Sequence, residues 1–409
     1  MEVVAPWSVP KRIAFRFGVV LAALYMVPLP LGLIPGTQSL AEAAQKPLAW
    51  LVVWFADTVL GVGEPAVEPT GAGDTLFGWV MMLVLVILAA IGCAVWSAID
   101  RERTAYPRLA ALAHVALRYL LAWTLFSYGF VKLSQFPTPS ASRLDGTIGE
   151  MSPMGLLWTF MGYSTPYKVF AGICEIVPGI LLLWRRTATL GALLAIAVLT
   201  NIVMLNMSYD VPVKLYSMQL VAIGLVIAAP QLRRVAAALL GHAVPEVPSR
   251  PRLSPKRERV RLAIKLAVVA MLAYQVFDQL TSNTRPAPNA LDGIWIVETW
   301  RADGVEHPPR LDDAVRWRKL AINPRSVIIR LMTDERRGHG LEVDDQQHTM
   351  KVSRETDADV WRYVQRDAEH LAIDGTYRGQ HVEVTLRRQP TGLLMSRGFH
   401  WIQEFPLNR

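Results

Sequence analysis

The chain has 409 residues, of which 52% are hydrophobic and 19% charged, and its formal net charge is +8. Soluble domains carry about 25% charge and disordered chains are poor in apolar residues, so neither a wholly soluble nor a wholly disordered protein fits. The two cysteines, Cys93 and Cys174, exclude a disulfide scaffold and any cysteine-rich zinc or iron–sulfur site.

The basic excess is uneven: residues 1–289 carry a balance of +9 and residues 290–409 a balance of −1. No groove-reading motif accompanies it, so no nucleic-acid partner is expected. The excess lies instead in short loops between apolar stretches, as the positive-inside rule describes.

A spanning helix needs ~20 mostly apolar residues. In chain order, seven stretches reach or approach that length: about 13–34, 76–98, 111–132, 168–184, 188–206, 214–230 and 262–281. Lys11, Arg12 and Arg16 precede the first, and Arg101, Arg103 and Arg108 separate the second from the third. Arg185 and Arg186 join the fourth to the fifth; Arg233, Arg234 and the run from Arg250 to Arg261 join the sixth to the seventh. These loops are expected in the cytoplasm, and the acidic ones, with Glu64, Asp74, Asp145, Glu150 and Asp210, on the other side. The result is a multi-pass protein of the inner membrane, with a cytoplasmic N-terminus and a periplasmic C-terminal domain. The first stretch resembles a signal peptide ending near Ala41-Glu42-Ala43, but it is long and holds Pro28, Pro30 and Pro35, so a retained helix is expected. Two aromatic-rich stretches, 47–62 and 154–163, are too short to span and read as interfacial helices or as re-entrant segments.

Five regions follow: N-terminal spans with an outer interfacial segment (1–110), a four-helix core (111–232), a basic Pro-rich cytoplasmic linker near anionic lipid (233–261), a last span with its exit linker (262–289), and an extracytoplasmic β domain (290–409). In the β domain His381-Val382-Glu383-Val384-Thr385-Leu386 alternates polar and apolar strictly. Runs at 293–297, 317–322, 326–332, 347–352 and 370–373 are similar. Their spacing of ~8–12 residues, with Asp/Gly turns, predicts about eight antiparallel strands in a sandwich or barrel. The opening Gly293-x-Trp295 resembles that of a lipocalin-type barrel, which either holds a ligand or is packed solid.

Ionisable residues at membrane depth are costly and therefore functional candidates. Glu175 lies mid-span between Gly172 and Gly179, which let another helix approach closely. It reads either as a proton donor and acceptor or as a protonated acid in a structural hydrogen bond. Arg118 and Lys132 flank the third span ~21 Å apart at 1.5 Å per residue. They read as snorkelling cations or as binders of an anion or carboxylate, Glu150 and Glu175 included. Asn201, Asn206, Tyr209, Asp210 and Lys214 are forced together by the short turn after the fifth span. They read as a hairpin cap or as the rim of a pocket of quinone or headgroup size. Near the C-terminus Arg397, His400 and Glu404 sit among Phe399, Trp401 and Phe405, and this tail is expected to close the barrel or to dock on the membrane face.

There is no Walker loop, no GxGxxG opening a helix, no CxxC and no HExxH, and only His114 lies in a span. No metal is expected, and redox work needs a bound quinone or a partner.

Arg118, Phe126-Ser127-Tyr128-Gly129-Phe130-Val131-Lys132-Leu133 and Ala171-Gly172-Ile173-Cys174-Glu175-Ile176-Val177-Pro178-Gly179, followed by a long apolar span, resemble the DoxX family of small four-helix membrane proteins. The ending RGFHWIQEFPLNR is similar to that of longer DoxX-like proteins with an extracytoplasmic domain. The resemblance implies a helical bundle linked to membrane redox work, as in a subunit of thiosulfate:quinone oxidoreductase. Three functions follow as expectations. The first is a redox-associated protein with a quinone or other lipid-soluble molecule in the bundle and a soluble or membrane redox partner on the β domain. The others are a non-catalytic anchor or assembly factor, and a small-solute carrier or sensor.

Overall fold

The computed structural model describes residues 6–26, 38–244, 254–282, 289–354 and 357–408. They form two compact units, one of Met1–Val131 with Phe170–Val276 and one of Lys132–Val169 with Phe277–Arg409.

The first unit is helical. In chain order it contains α1 (Val9–Met26), α2 (Gln38–Trp54), α3 (Leu76–Ile99) and most of α4 (Pro107–Gln135). Among the described residues, five helices are long and apolar enough to cross a membrane: Leu76–Ile99, Pro107–Lys132, Thr165–Leu183, Ala188–Ser208 and Lys214–Leu239. They coincide with the second to sixth stretches read from the sequence. The first expected span is helical over Val9–Met26, and the rest of it lies outside the described residues. The seventh lies within a helix at Pro255–Ser282.

Short-range chemistry sets the helix ends. Thr75 accepts from Gly78 N–H to cap α3, satisfying one of the donors a helix start leaves free. Stretch 47–62 falls in α2 and the π-helical turn Phe55–Val59 that continues it, with Val52 and Ala56 buried against Val80 and Val84. Arg16 on α1 is buried because it is fully used: its guanidinium donates to Tyr106 Oη (2.6 and 2.9 Å), Ser97 Oγ (2.9 Å) and the Asp100 carbonyl (2.5 Å). The central core joins Leu121, Ala122 and Leu125 to Leu182, Ala192, Ala195 and Leu220, with small residues where helices approach.

In the second unit, α5 (Ala141–Asp145), a 3-10 turn (Ile148–Glu150) and α6 (Pro153–Tyr163) precede the strands in the chain. α6 contains the 154–163 stretch, is capped by Ser152, and buries Leu157 and Met161 while exposing Phe160. The β domain is a closed eight-stranded antiparallel barrel: β1 (Gly293–Ala302), β3 (Trp317–Asn323), β4 (Ser326–Leu331), β5 (Arg336–Asp344), β6 (Thr349–Ser353), β7 (Ala358–Gln365), β8 (His370–Tyr377) and β9 (Gln380–Arg388), with β9 pairing back onto β1. A two-residue β2 (Val305–Glu306) extends the end of β1 through the turn Asp303-Gly304, where both residues have positive φ. The turn Arg378-Gly379 does the same between β8 and β9.

Alternation along the strands sends Val382, Val384 and Leu386 inward, as the sequence pattern required. The interior is filled. Trp295, Trp300, Trp317 and Trp361 are fully buried, and Tyr377 packs edge-on to Trp317 at 5.1 Å. Eight strands enclose room either for side chains or for one small ligand, and here the fully buried inward side chains take the first of the two lipocalin-type alternatives.

Candidate binding site

In the helical unit a cavity of about 300 Å³ opens among α1, α3, α4 and a helix α9 (Lys214–Ala228), at the ends of those helices that meet Gly73 and Val213. Its apolar wall comes from Met81, Met82, Leu85, Val213 and Leu215, and its polar groups from Tyr25, Tyr128, Tyr216 and Gln219. Tyr25 Oη donates to Gln219 Oε1 at 2.8 Å, and the Tyr128 and Tyr216 rings lie 6.1 Å apart. Tyr216 Oη is 3.4 Å from Thr124 Oγ1. An apolar pocket with a few convergent hydroxyl and amide groups suits a flat, lipid-soluble molecule that carries carbonyl or hydroxyl oxygens.

The rim is built by charge. Gly73 and Asp74 N–H groups both donate to the Pro212 carbonyl (2.7 and 3.1 Å). The Asp74 carboxylate accepts from the Lys214 and Leu215 N–H groups (2.7 and 2.9 Å), capping α9. Lys214 Nζ pairs with Asp210 Oδ1 at 2.8 Å and stands 3.7 Å from Asp74 Oδ2. Asp210 turns the chain with φ +51° directly after Tyr209, which closes the end of α8 (Ala188–Ser208) by donating its N–H to the Leu205 carbonyl. Asp210 and Lys214, brought together by the short turn as the sequence required, form an ion pair within the hairpin, and neither lines the cavity. Asn206 is buried nearby and its carbonyl accepts from Val211 N–H, whereas Asn201 is exposed on α8.

Other expected site residues lie elsewhere. Glu175 is buried (1% exposed) on α7 (Thr165–Leu183) and is not among the residues lining the cavity. It is linked to the cavity through backbone: Gly129, next to Tyr128, meets Gly172 and Ile176 so closely that a Cβ on Gly172 would lie 2.6 Å from the Gly129 carbonyl. The glycine-mediated approach expected around Glu175 is thus present. Arg118 is buried, and its Nε and Nη2 donate to the Leu182 carbonyl (3.0 and 2.5 Å) in the C-terminal turn of α7. Lys132 Nζ lies 5.8 Å from the Phe136 ring centroid.

Glu150 is paired within the second unit. Its carboxylate holds Arg330 (3.2 Å) and approaches Arg336 (3.9 Å), while its Oε2 accepts from Thr147 N–H (3.0 Å). Arg330 also donates to the Asp145 carboxylate (2.9 Å) and carbonyl (3.1 Å). The outer wall of β4 is thereby covered by residues 141–150. The hydrogen bond from Arg330, then that from Thr147, holds the Glu150 carboxyl below its ordinary value of 4.5. A lowered folded-state value stabilises the fold above the ordinary carboxylate pKa, and that contribution disappears as pH falls through the lowered value. The melting temperature is therefore expected to decline as pH falls below about 4.5, with a shallower acid limb in Glu150→Gln; identical limbs would contradict the pairing.

Arg397, His400 and Glu404 lie on an exposed tail, where Arg397 donates to Gln403 Oε1 (3.1 Å). They do not close the barrel, because β9 already does. Among the described residues, Asp374, His381 and Glu383 place their ligand atoms within 4.8 Å of one another, all exposed on β8 and β9. The cross-strand pairs His381–Asp374 (3.5 Å) and Arg301–Glu383 (3.9 Å) account for that grouping.

Sequence reasoning missed Tyr25, Tyr128, Tyr216 and Gln219 as cavity residues, and Asp74 as the cap of α9 beside them. Each is a lone hydroxyl, amide or carboxylate at a span end, and the signal was its position near the same end of separate spans.

Residues 113–206 match the DoxX family model. The chain is 35% identical over 106 residues to the uncharacterized protein YwoB of Bacillus subtilis (strain 168), a match that covers 24% of this chain and 62% of that protein. The chain thus spans about three fifths of that relative's length. No solved structure matches the chain.

Proposed function

We propose that this DoxX-domain membrane protein binds a quinone or a similar lipid-soluble molecule in the tyrosine-lined cavity and is associated with membrane redox work. The observation that carries the reading is the cavity itself: about 300 Å³, apolar walls, and three tyrosines and a glutamine as its polar groups. A quinone ring offers flat apolar faces for the methionines and two carbonyl oxygens for the Tyr and Gln donors. Reduction of a quinone takes two electrons and two protons. Glu175, buried on the helix packed against Gly129, is the proton-exchanging group in this scheme, and a partner docked on the β domain supplies the electrons. The loop charges support a reading in which the protein sits in the inner membrane with its N-terminus in the cytoplasm and its barrel in the periplasm.

The test is direct. Purified protein in detergent is titrated with a short-chain quinone, and binding is followed by thermal stability and by quinone absorbance. Tyr216→Phe with Gln219→Leu is expected to weaken binding about tenfold or more, since each lost hydrogen bond is worth ~0.5–1.5 kcal/mol and stranded partners add to it. Unchanged affinity in that variant, or no quinone effect on the parent, removes the reading. The filled barrel and its ion-paired cover favour a second reading, a non-catalytic anchor or assembly factor. That reading predicts full cellular activity in Glu175→Gln and in the cavity variant, with loss only on deleting residues 290–409.

A further inference from the structure

β1 and β9 are antiparallel, with Trp295 opposite Arg388, so the chain leaves the barrel at the end where it came in. Gln389 N–H donates to the Ile294 carbonyl (2.7 Å), and Arg388 reaches back to the Asp292 carbonyl (2.6 Å) and over the Trp295 ring (4.3 Å). Only ten residues separate Ser282, the last residue of the helix Pro255–Ser282, from Gly293, which limits that barrel end to within about 40 Å of the helix end.

The tail that leaves there is apolar and uncovered. Phe399 is 76% exposed, Trp401 91%, Ile402 80% and Phe405 83%. Phe399 and Trp401 meet edge to face at 5.0 Å. Residues 397–408 form neither helix nor strand, and polar Arg397, His400, Gln403 and Glu404 alternate irregularly with the apolar groups. Backbone without regular hydrogen bonding is excluded from hydrocarbon but not from the headgroup layer, where water and phosphate satisfy it and where Trp rings concentrate. The tether, the Trp-centred composition and the irregular backbone select one occupant.

We infer that residues 397–407 seat Phe399, Trp401, Ile402 and Phe405 in the headgroup layer of the bilayer that the helix Pro255–Ser282 enters. The tail is a second membrane attachment that holds the barrel's chain-terminal end against the lipid. The inference rests on that helix being membrane-inserted and is independent of the cavity and its ligand.

The experiment uses the full chain in phosphatidylcholine nanodiscs holding one copy each, with Cys93→Ala and Cys174→Ala as background. An environment-sensitive dye is attached at Trp401→Cys or, separately, at Phe405→Cys, which keeps Trp401. Val364→Cys, on the outer barrel wall and 62% exposed, is the control. The tail dyes are expected to be blue-shifted, quenched by headgroup-nitroxide lipid, and about threefold or more less accessible to aqueous iodide than the control. Equal iodide access at the tail and control sites, with no quenching from lipid, overturns the inference, because the tail then awaits a protein partner or a second copy. Agreement between the two tail positions separates lipid seating from a local effect of replacing Trp401.

Discussion

Arg330→Met is expected to destabilise the second unit by about 3 kcal/mol, toward the lower end of the range for breaking a buried ion pair. The reason is geometric. Asp145 has a side chain 1% exposed and Arg330 one 7% exposed, with Nε 2.9 Å from Oδ2. Removing the guanidinium leaves a carboxylate that burial disfavours and only Lys319, 3.3 Å away, to answer it. Lys319 is why the lower end applies. Chemical denaturation of the full chain, followed through emission of the four core tryptophans, reads the effect. Asp145→Leu combined with Arg330→Met should recover most of the loss, since an apolar pair replaces an ionic one at little cost. A single-variant loss under about 1 kcal/mol would make the pair a surface contact in energetic terms.

Gly172→Leu is the other large effect expected. A Cβ at Gly172 would lie 2.6 Å from the Gly129 carbonyl, and one at Gly129 would lie 2.7 Å from Ile176 Cγ1. Gly129 is next to Tyr128, so a shift of α4 away from α7 would carry that ring with it. Overpacking of this kind costs about 1–3 kcal/mol and sometimes more. The prediction is a lowered melting temperature together with loss of quinone binding by an order of magnitude or more, as cavity geometry is lost. Gly18→Leu is the control, because a Cβ there meets nothing within 4 Å. If the two variants behave alike, close approach at Gly172 is not what holds the cavity.

Much of the architecture was legible because it is periodic. The alternation around Val382, Val384 and Leu386 predicted an inward row and delivered one, and the apolar stretches gave helices with nearly the expected ends. Gly172 was readable too, since a glycine beside an intramembrane carboxyl implies a close neighbour. The partners of the charged residues were not legible. Arg118 caps the carbonyl of Leu182 and Glu150 holds Arg330, so both meet residues distant in the chain. Arg330 itself faces outward on β4 and should have been exposed; the cover that buries it comes from 185 residues earlier. No local pattern encodes such a partner. The cavity was illegible for a similar reason, because α1, α4 and α9 supply its tyrosines, one each, and none looks unusual in its own helix.

The clasp between Asp145 and Arg330 has a consequence for biosynthesis. At about 5–20 residues per second, the ribosome finishes Asp145 some 10–40 s before it reaches Arg330. Throughout that interval Asp145 and Glu150 lack the guanidinium that pairs with both of them in the finished chain. A chain arrested before β4 lacks those contacts, so a protease cutting between Ser140 and Glu150 is expected to cleave unfinished molecules faster than finished ones.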